Sequence, residues 1–232
     1  MKKFELTAEF VTNVFGEKLF RIKALVAFGD VSAGELGGFV EKEENLSNNG
    51  NAWVYGDAQV SGNAQVFDDA RVYGDARVYG DARVFGNARV YGDAWVSGNA
   101  RVSGNARVSG NAWVSGNARV SGDAQVSGNA RVSGNARVYG DAQVSGNARV
   151  FDDADYAVVT GFGQFFRATT FFRCKDKILR VQCGCFYGDF AQFREIVKKT
   201  NGNSKYAKEY LAIADLMELH FSDEEEKQEA DE

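Results

Sequence analysis

From Gly50 to Asp155 the chain repeats itself every six residues: Ala recurs from Ala52 to Ala154, and Val recurs from Val54 to Val150. The unit is Gly-(Asn/Asp)-Ala-x-Val-y, and seventeen units follow one another without an insertion, with Asp68 standing once in place of Gly. A fixed short period of this kind means a solenoid whose core is built by stacking neighbouring units. Within each unit Ala and Val alternate with polar or aromatic residues, the period of a half-buried strand, so Ala and Val point inward while x and y point outward. Gly then supplies a corner that needs positive φ, and the following Asn or Asp tolerates the bend and can bond its own backbone. Each unit is one short strand plus one turn.

This pattern resembles the hexapeptide repeat of left-handed parallel β-helices, in which an aliphatic and a small residue recur six apart. It departs from that family at y, which holds Ser, Tyr or Phe. The resemblance implies a mainly β fold: a left-handed triangular prism with three repeats per coil, so that seventeen repeats predict five to six coils. At about 4.8 Å per coil the prism would be roughly 25 to 30 Å long. Residues eighteen apart then stack, giving three outward columns. The first holds Trp53, Arg71, Arg89, Arg107, Gln125 and Gln143; the second Gln59, Arg77, Trp95, Trp113, Arg131 and Arg149; the third Gln65, Arg83, Arg101, Arg119 and Arg137, ending at Asp155.

The array predicts four units: an N-terminal β cap over 1–49, the β-helix over 50–155, a small α+β domain over 156–221 and a disordered acidic tail over 222–232. In the first unit Phe4–Phe10 and Leu19–Val26 read as strands, and Val40 and Leu46 are in phase with the inward Ala column. A parallel solenoid has an open apolar end and unpaired strand edges, so a covering segment is expected. Past the array, a hairpin through Lys175-Asp176-Lys177 precedes two helices. Asp189 caps the first, which runs to about Lys199, and Ser204 caps the second, which runs to about Phe221. The second helix should bury Tyr206, Tyr210, Ile213, Met217 and either Leu216 or Phe221. The last eleven residues hold seven acids and one Lys, the composition of a solvated tail.

The net charge of −5 and the sequence pI near 5.1 argue against bulk attraction to nucleic acid or anionic membrane. No signal core and no spanning apolar stretch are present. With three Cys and no secretion signal, a reducing cytoplasm is the expected compartment. Cys174, Cys183, Cys185 and His220 invite a zinc reading, but Cys-x-Cys is unusual spacing for such a site. Placed on one face of the hairpin, the three Cys read better as small buried hydrophobes. No metal or cofactor is expected.

The hexapeptide resemblance also brings an acyltransferase reading. Those enzymes use a His general base and substrate-binding loops that leave the prism, whereas this array has neither His nor insertion; a non-enzymatic role is expected instead. Trp and Arg are enriched at interface hot spots, which singles out Arg77, Trp95, Trp113, Arg131 and Arg149, with Arg83, Arg101, Arg119 and Arg137 on the neighbouring column. The expected partner is a second copy of the chain, a trimer above other states, together with a protein partner. Aromatic platforms interleaved with Arg also suit a nucleotide or single-stranded nucleic acid, and this is the alternative reading. Over nearly its full length the chain resembles a group of proteins of gut-type bacteria and their phages, through Leu36 to Glu41, Thr170 to Phe186 with its Cys-Gly-Cys-Phe step, and Lys205 to Leu211. A phage setting would fit an inhibitor or sequestering protein aimed at a host defence.

Overall fold

The computed structural model describes residues 2–222; past Ser222, the expected acidic tail lies outside the described residues. Seventeen two-residue strands, from Trp53–Val54 to Arg149–Val150, follow one another at six-residue intervals. Each pairs in parallel with the strand eighteen residues on: Val54 lies beside Val72, Val60 beside Val78 and Val66 beside Val84. Three strands therefore make one turn, and about six turns stack into a parallel β-solenoid with three sheets. The three outward columns read from the sequence are these three sheets, except that the third ends at Arg137, because Asp155 lies in a 3-10 turn and not in a strand.

The inward positions pack with almost no exposed surface: every array Ala from Ala52 to Ala148 and every Val from Val54 to Val150 is at most 1% accessible, whereas Ala154, the last in phase, lies in a 3-10 turn and is exposed. Burying one Val side chain contributes about 1.5–3 kcal/mol, and the array repeats that gain along its whole length. Turns are tied to each other through the backbone, as where Arg101 N–H donates to the Ala118 carbonyl and Ser103 N–H to that of Val120, each at 2.9 Å. Corner Asn side chains add a second ladder, Asn99 donating to Asn117 and Asn117 to Asn135 at 3.2 Å each. Gly is required beside them for two reasons. Gly104 sits at φ +66°, and a Cβ built there would lie 2.9 Å from the Gly122 nitrogen of the next turn.

At the N-terminal end Phe4–Thr12 and Lys18–Ala24 form an antiparallel hairpin. Lys18–Ala24 pairs with Leu36–Val40, which joins Gln59–Val60 in parallel, so the hairpin prolongs the second face into a nine-stranded sheet. Two expectations need correction here. Val40 pairs with Val60 and Leu46 bridges to Val66, so both lie on the Val column and not on the Ala column. The eight-residue step from Leu46 to Val54, two longer than a repeat, absorbs the difference. Trp53, assigned to the outward side of the first face, is fully buried, because the segment after the hairpin folds across it. Phe4 and Phe28 meet its ring edge-on at 6.3 and 5.3 Å.

At the other end Tyr156–Val159, Thr169–Arg173, Leu179–Cys183 and Phe186–Asp189 form a four-stranded antiparallel sheet. Its two surfaces serve different cores. Tyr156, Phe172 and Cys174 close the end of the solenoid interior. Phe171 and Val181 pack against Phe190, Phe193 and Val197 of α1 (Phe190–Asn201) and Ile213, Met217 and Phe221 of α2 (Lys205–Ser222). The sheet is pinned to the last turn where the Thr170 hydroxyl accepts from Gln143 N–H at 2.9 Å and Ser145 donates to Gln182. Asp189 caps α1 through the Gln192 amide, and the Ser204 hydroxyl accepts from Ala207 N–H. Of the α2 stripe, Phe221 and not Leu216 turns inward, and Tyr206 is exposed. The single face assigned to the cysteines is also corrected. Phe171 pairs with Val181 on the helix side, and Cys174, an odd number of residues further along, points toward the solenoid instead. Cys183 is half-buried and Cys185 exposed.

Candidate functional site

The second face presents a stack of four flat cationic and aromatic groups. Parallel pairing sets Arg77, Trp95, Trp113, Arg131 and Arg149 side by side in register. Trp95 and Trp113 stack at 4.9 Å between centroids with 8° between their planes. The Arg77 guanidinium lies 5.0 Å from the Trp95 ring and that of Arg131 4.8 Å from the Trp113 ring. Each indole is therefore sandwiched between another indole and a guanidinium. Cation–π contacts of this kind contribute about 0.5–1 kcal/mol apiece at exposed sites. The stack faces outward, with Trp113 38% accessible, so its edges form a flat, partly apolar strip.

The strip continues onto residues that sequence reasoning treated as a plain turn. The tip of the N-terminal hairpin leans over the second face, bringing Phe15 to 5.2 Å from Tyr79, which in turn meets Trp95 edge-on at 5.8 Å. Val14 and Phe15 remain largely exposed. The signal available in the sequence was two adjacent apolar residues, Val14 and Phe15, in a turn already ended by Gly16, a place where polar residues are usual.

Arg83, Arg101, Arg119 and Arg137 are brought together as well, but on the third face, a separate sheet. All four are exposed. The nine candidate residues thus lie on two sides of the prism, the second and third columns to which the sequence assigned them. On the first face Arg71 is tied to Asp30 at 2.8 Å. Slight burial pushes the Asp30 carboxyl up, but hydrogen bonds from Tyr55 and Arg71 outweigh it and hold the group below its ordinary value.

The titratable groups outside the array form no metal cage: among the described residues no group of three or more His, Cys, Asp or Glu could hold a metal ion. The three free cysteines lie in different surroundings. Burial raises the Cys174 thiol above its ordinary value, against a weak opposing contact with the Tyr187 hydroxyl at 3.8 Å. Cys183 receives a hydrogen bond from Thr169 at 3.2 Å. His220 lies in the last turn of α2, edge-on to Phe221. No helix among the described residues is long and apolar enough to cross a membrane.

Fold and pairing together define the chain as a β-solenoid repeat protein. A family model described as the YdcK β-solenoid repeat matches residues 64–80, 70–84, 76–92, 82–98, 100–116, 112–128, 124–140 and 142–154. The starts of these windows differ by multiples of six, so the matches step along the chain in its own repeat unit. They lie within the rungs, from the third strand on, and reach neither end. No curated protein matches the chain.

Proposed function

We propose that the chain is a rigid, non-enzymatic scaffold that self-associates through the second face, as a trimer, and thereby presents its ends to a protein partner. The observation that supports this most directly is the outward stack of Arg77, Trp95, Trp113 and Arg131, extended by Tyr79 and Phe15. Trp and Arg at the centre of a flat patch are the residues that carry most interface energy, and a regular sheet holds them without loss of further backbone freedom. The finer features, a left-handed coil of the hexapeptide type and kinship with bacterial and phage proteins, belong to this reading too. On this reading the partner is a protein of the bacterial cytoplasm, and the role is inhibition or sequestration of a host defence protein.

Capture of a nucleotide or single-stranded nucleic acid is the second reading. It is less favoured because base stacking needs a free aromatic face, whereas each indole already has a ring on one side and a guanidinium on the other. An acyltransferase role has still less support, since the single His lies on α2, outside the array.

The test is mass by light scattering of the parent and of the Trp95→Ala/Trp113→Ala double variant at low and high salt. A trimer that becomes a monomer in the variant, at either salt, is the expected result. An unchanged mass would remove the second face from self-assembly.

A further inference from the structure

The net charge of the chain conceals a strong asymmetry. Residues 223–232 carry seven acids and one Lys, a net charge of −6, so residues 1–222 carry a net charge of +1 although the whole chain is at −5. The body's cations are most concentrated on the third face, where Arg83, Arg101, Arg119 and Arg137 occupy successive turns. At a spacing of about 4.8 Å, four like charges in a column repel one another unless an anion compensates. Elsewhere three outward Arg residues have partners: Arg71 has Asp30, and Arg77 and Arg131 have the indoles. The third-face column has neither an aromatic nor a carboxylate in any ion pair found among the described residues. Its edges hold Asp68, Asp69, Asp81, Asp123 and Asp141, of which Asp69, Asp81 and Asp123 instead accept from the corner amides of Asn51, Asn63 and Asn105, and Asp68 from Gly86 N–H.

The acidic segment leaves the body at the end of this same column. The short 3-10 turn Asp153–Asp155 sits against the last strand of the third face, with Asp153 accepting from Arg137 N–H at 2.8 Å. Arg173 lies 3.8 Å from Asp155 and donates to the Phe221 carbonyl at 3.0 Å. The end of α2 is thereby tied to the foot of the Arg column. Ten further residues reach at most about 33–36 Å, while three turn-to-turn steps from Arg137 to Arg83 span about 14 Å.

We propose that the third-face column of Arg83, Arg101, Arg119 and Arg137 is a binding surface for an extended acidic peptide, and that its occupant is residues 223–232 of the same chain. An intramolecular ligand on a short tether is present at an effective concentration in the millimolar range, so modest contacts suffice to hold it. The tail neutralises the column and shields it from other polyanions; an outside ligand of the same chemistry must displace it.

The experiment uses full-length chains and a fluorescein-labelled peptide with the sequence of residues 223–232, read by anisotropy. One variant neutralises the tail with Asp223→Asn, Glu224→Gln, Glu225→Gln, Glu226→Gln, Glu229→Gln and Asp231→Asn, leaving Glu232 to balance Lys227; a second adds Arg101→Gln and Arg119→Gln to it. Gln already fills the equivalent outward position at Gln125 and Gln143, so the substitution suits the fold. The neutral-tail variant is expected to bind the peptide roughly tenfold more tightly than the parent, and the added Gln pair to lose that gain, as removal of a tethered competitor requires. Equal binding by parent and neutral-tail variant, or no loss with the Gln pair, would overturn the proposal. Labelled oligothymidylate that binds the neutral-tail variant and is not displaced by the peptide would overturn it in favour of nucleic acid. In a second measurement on the unlabelled protein, a Glu-specific protease should cleave the tail faster in Arg101→Gln/Arg119→Gln than in the parent at low salt. An unchanged rate would also count against it.

Discussion

At most corners of the array, space and backbone conformation agree on one residue. Gly104 combines φ +66° with a next-turn nitrogen 2.9 Å from any added Cβ, so Gly104→Ala is expected to destabilise the protein by about 1–3 kcal/mol. Urea unfolding measures this directly, and a variant as stable as the parent would mean that the turns can move apart at little cost. Lys3 offers a different residue-scale test. It is buried, donating to the Ala52 carbonyl at 2.9 Å and lying 4.6 Å from the Phe28 ring. Burial lowers its pKa from 10.5 to about 8, against an upward pull from Asp69. The folded chain gives up this proton before the unfolded chain does, so the unfolded state holds more protons between those values and stability must rise with pH there. Relative to Lys3→Met, the parent should gain about 2 kcal/mol between roughly pH 8 and pH 10. A flat difference would show that Lys3 is solvated. The two residues are not equally legible in the sequence: Gly104 repeats a motif, while Lys3 reads as one of two N-terminal cations and becomes special only when the Ala52 carbonyl and the Phe28 ring close around it.

For the elements, the eighteen-residue turn is the unit that keeps the columns intact. Deleting residues 115–132 removes one turn and leaves Arg149 in place of Arg131 beside Trp113, so the stack and self-association are expected to survive. Deleting residues 103–108 removes a single repeat, keeps the Ala and Val phase, and moves Trp113 from the second face to the first. The near-ultraviolet circular dichroism of the paired indoles should then collapse and the mass should fall, while the far-ultraviolet spectrum keeps its β character. Equal behaviour of the two deletions would contradict a stack-dependent interface. The sequence read well at this scale wherever the period continued, because Ala and Val at fixed spacing leave one way to bury them. It read poorly where the period stopped. The extra two residues between Leu46 and Val54 change which column Leu46 joins, and no local propensity reports that. Burial of Trp53 and the lean of Phe15 toward Tyr79 depend on where a neighbouring segment folds. The odd-numbered step from Phe171 to Cys174 decides which core the cysteine meets, and it becomes evident once the sheet is known to be covered on both sides.

The whole molecule is a prism closed at both ends, by a hairpin at one and by a sheet backed with two helices at the other. The closures protect strand edges that would otherwise pair with those of another copy. Removal of residues 156–232 is accordingly expected to give concentration-dependent polymers in sedimentation velocity, and a monodisperse product would show that the last turn needs no cover. The same closures fix where load would enter if the protein were held at its two ends. The strands run around the axis and the hydrogen bonds between turns run along it, so an axial pull acts on those bonds turn by turn and does not shear a whole sheet at once. Each turn that yields would release eighteen residues, about 55 Å of new length beyond the folded rise. Under tension the solenoid would pay out chain in equal steps, behaving as an extensible tether of uniform increments at the same time as its resting form is a stiff rod.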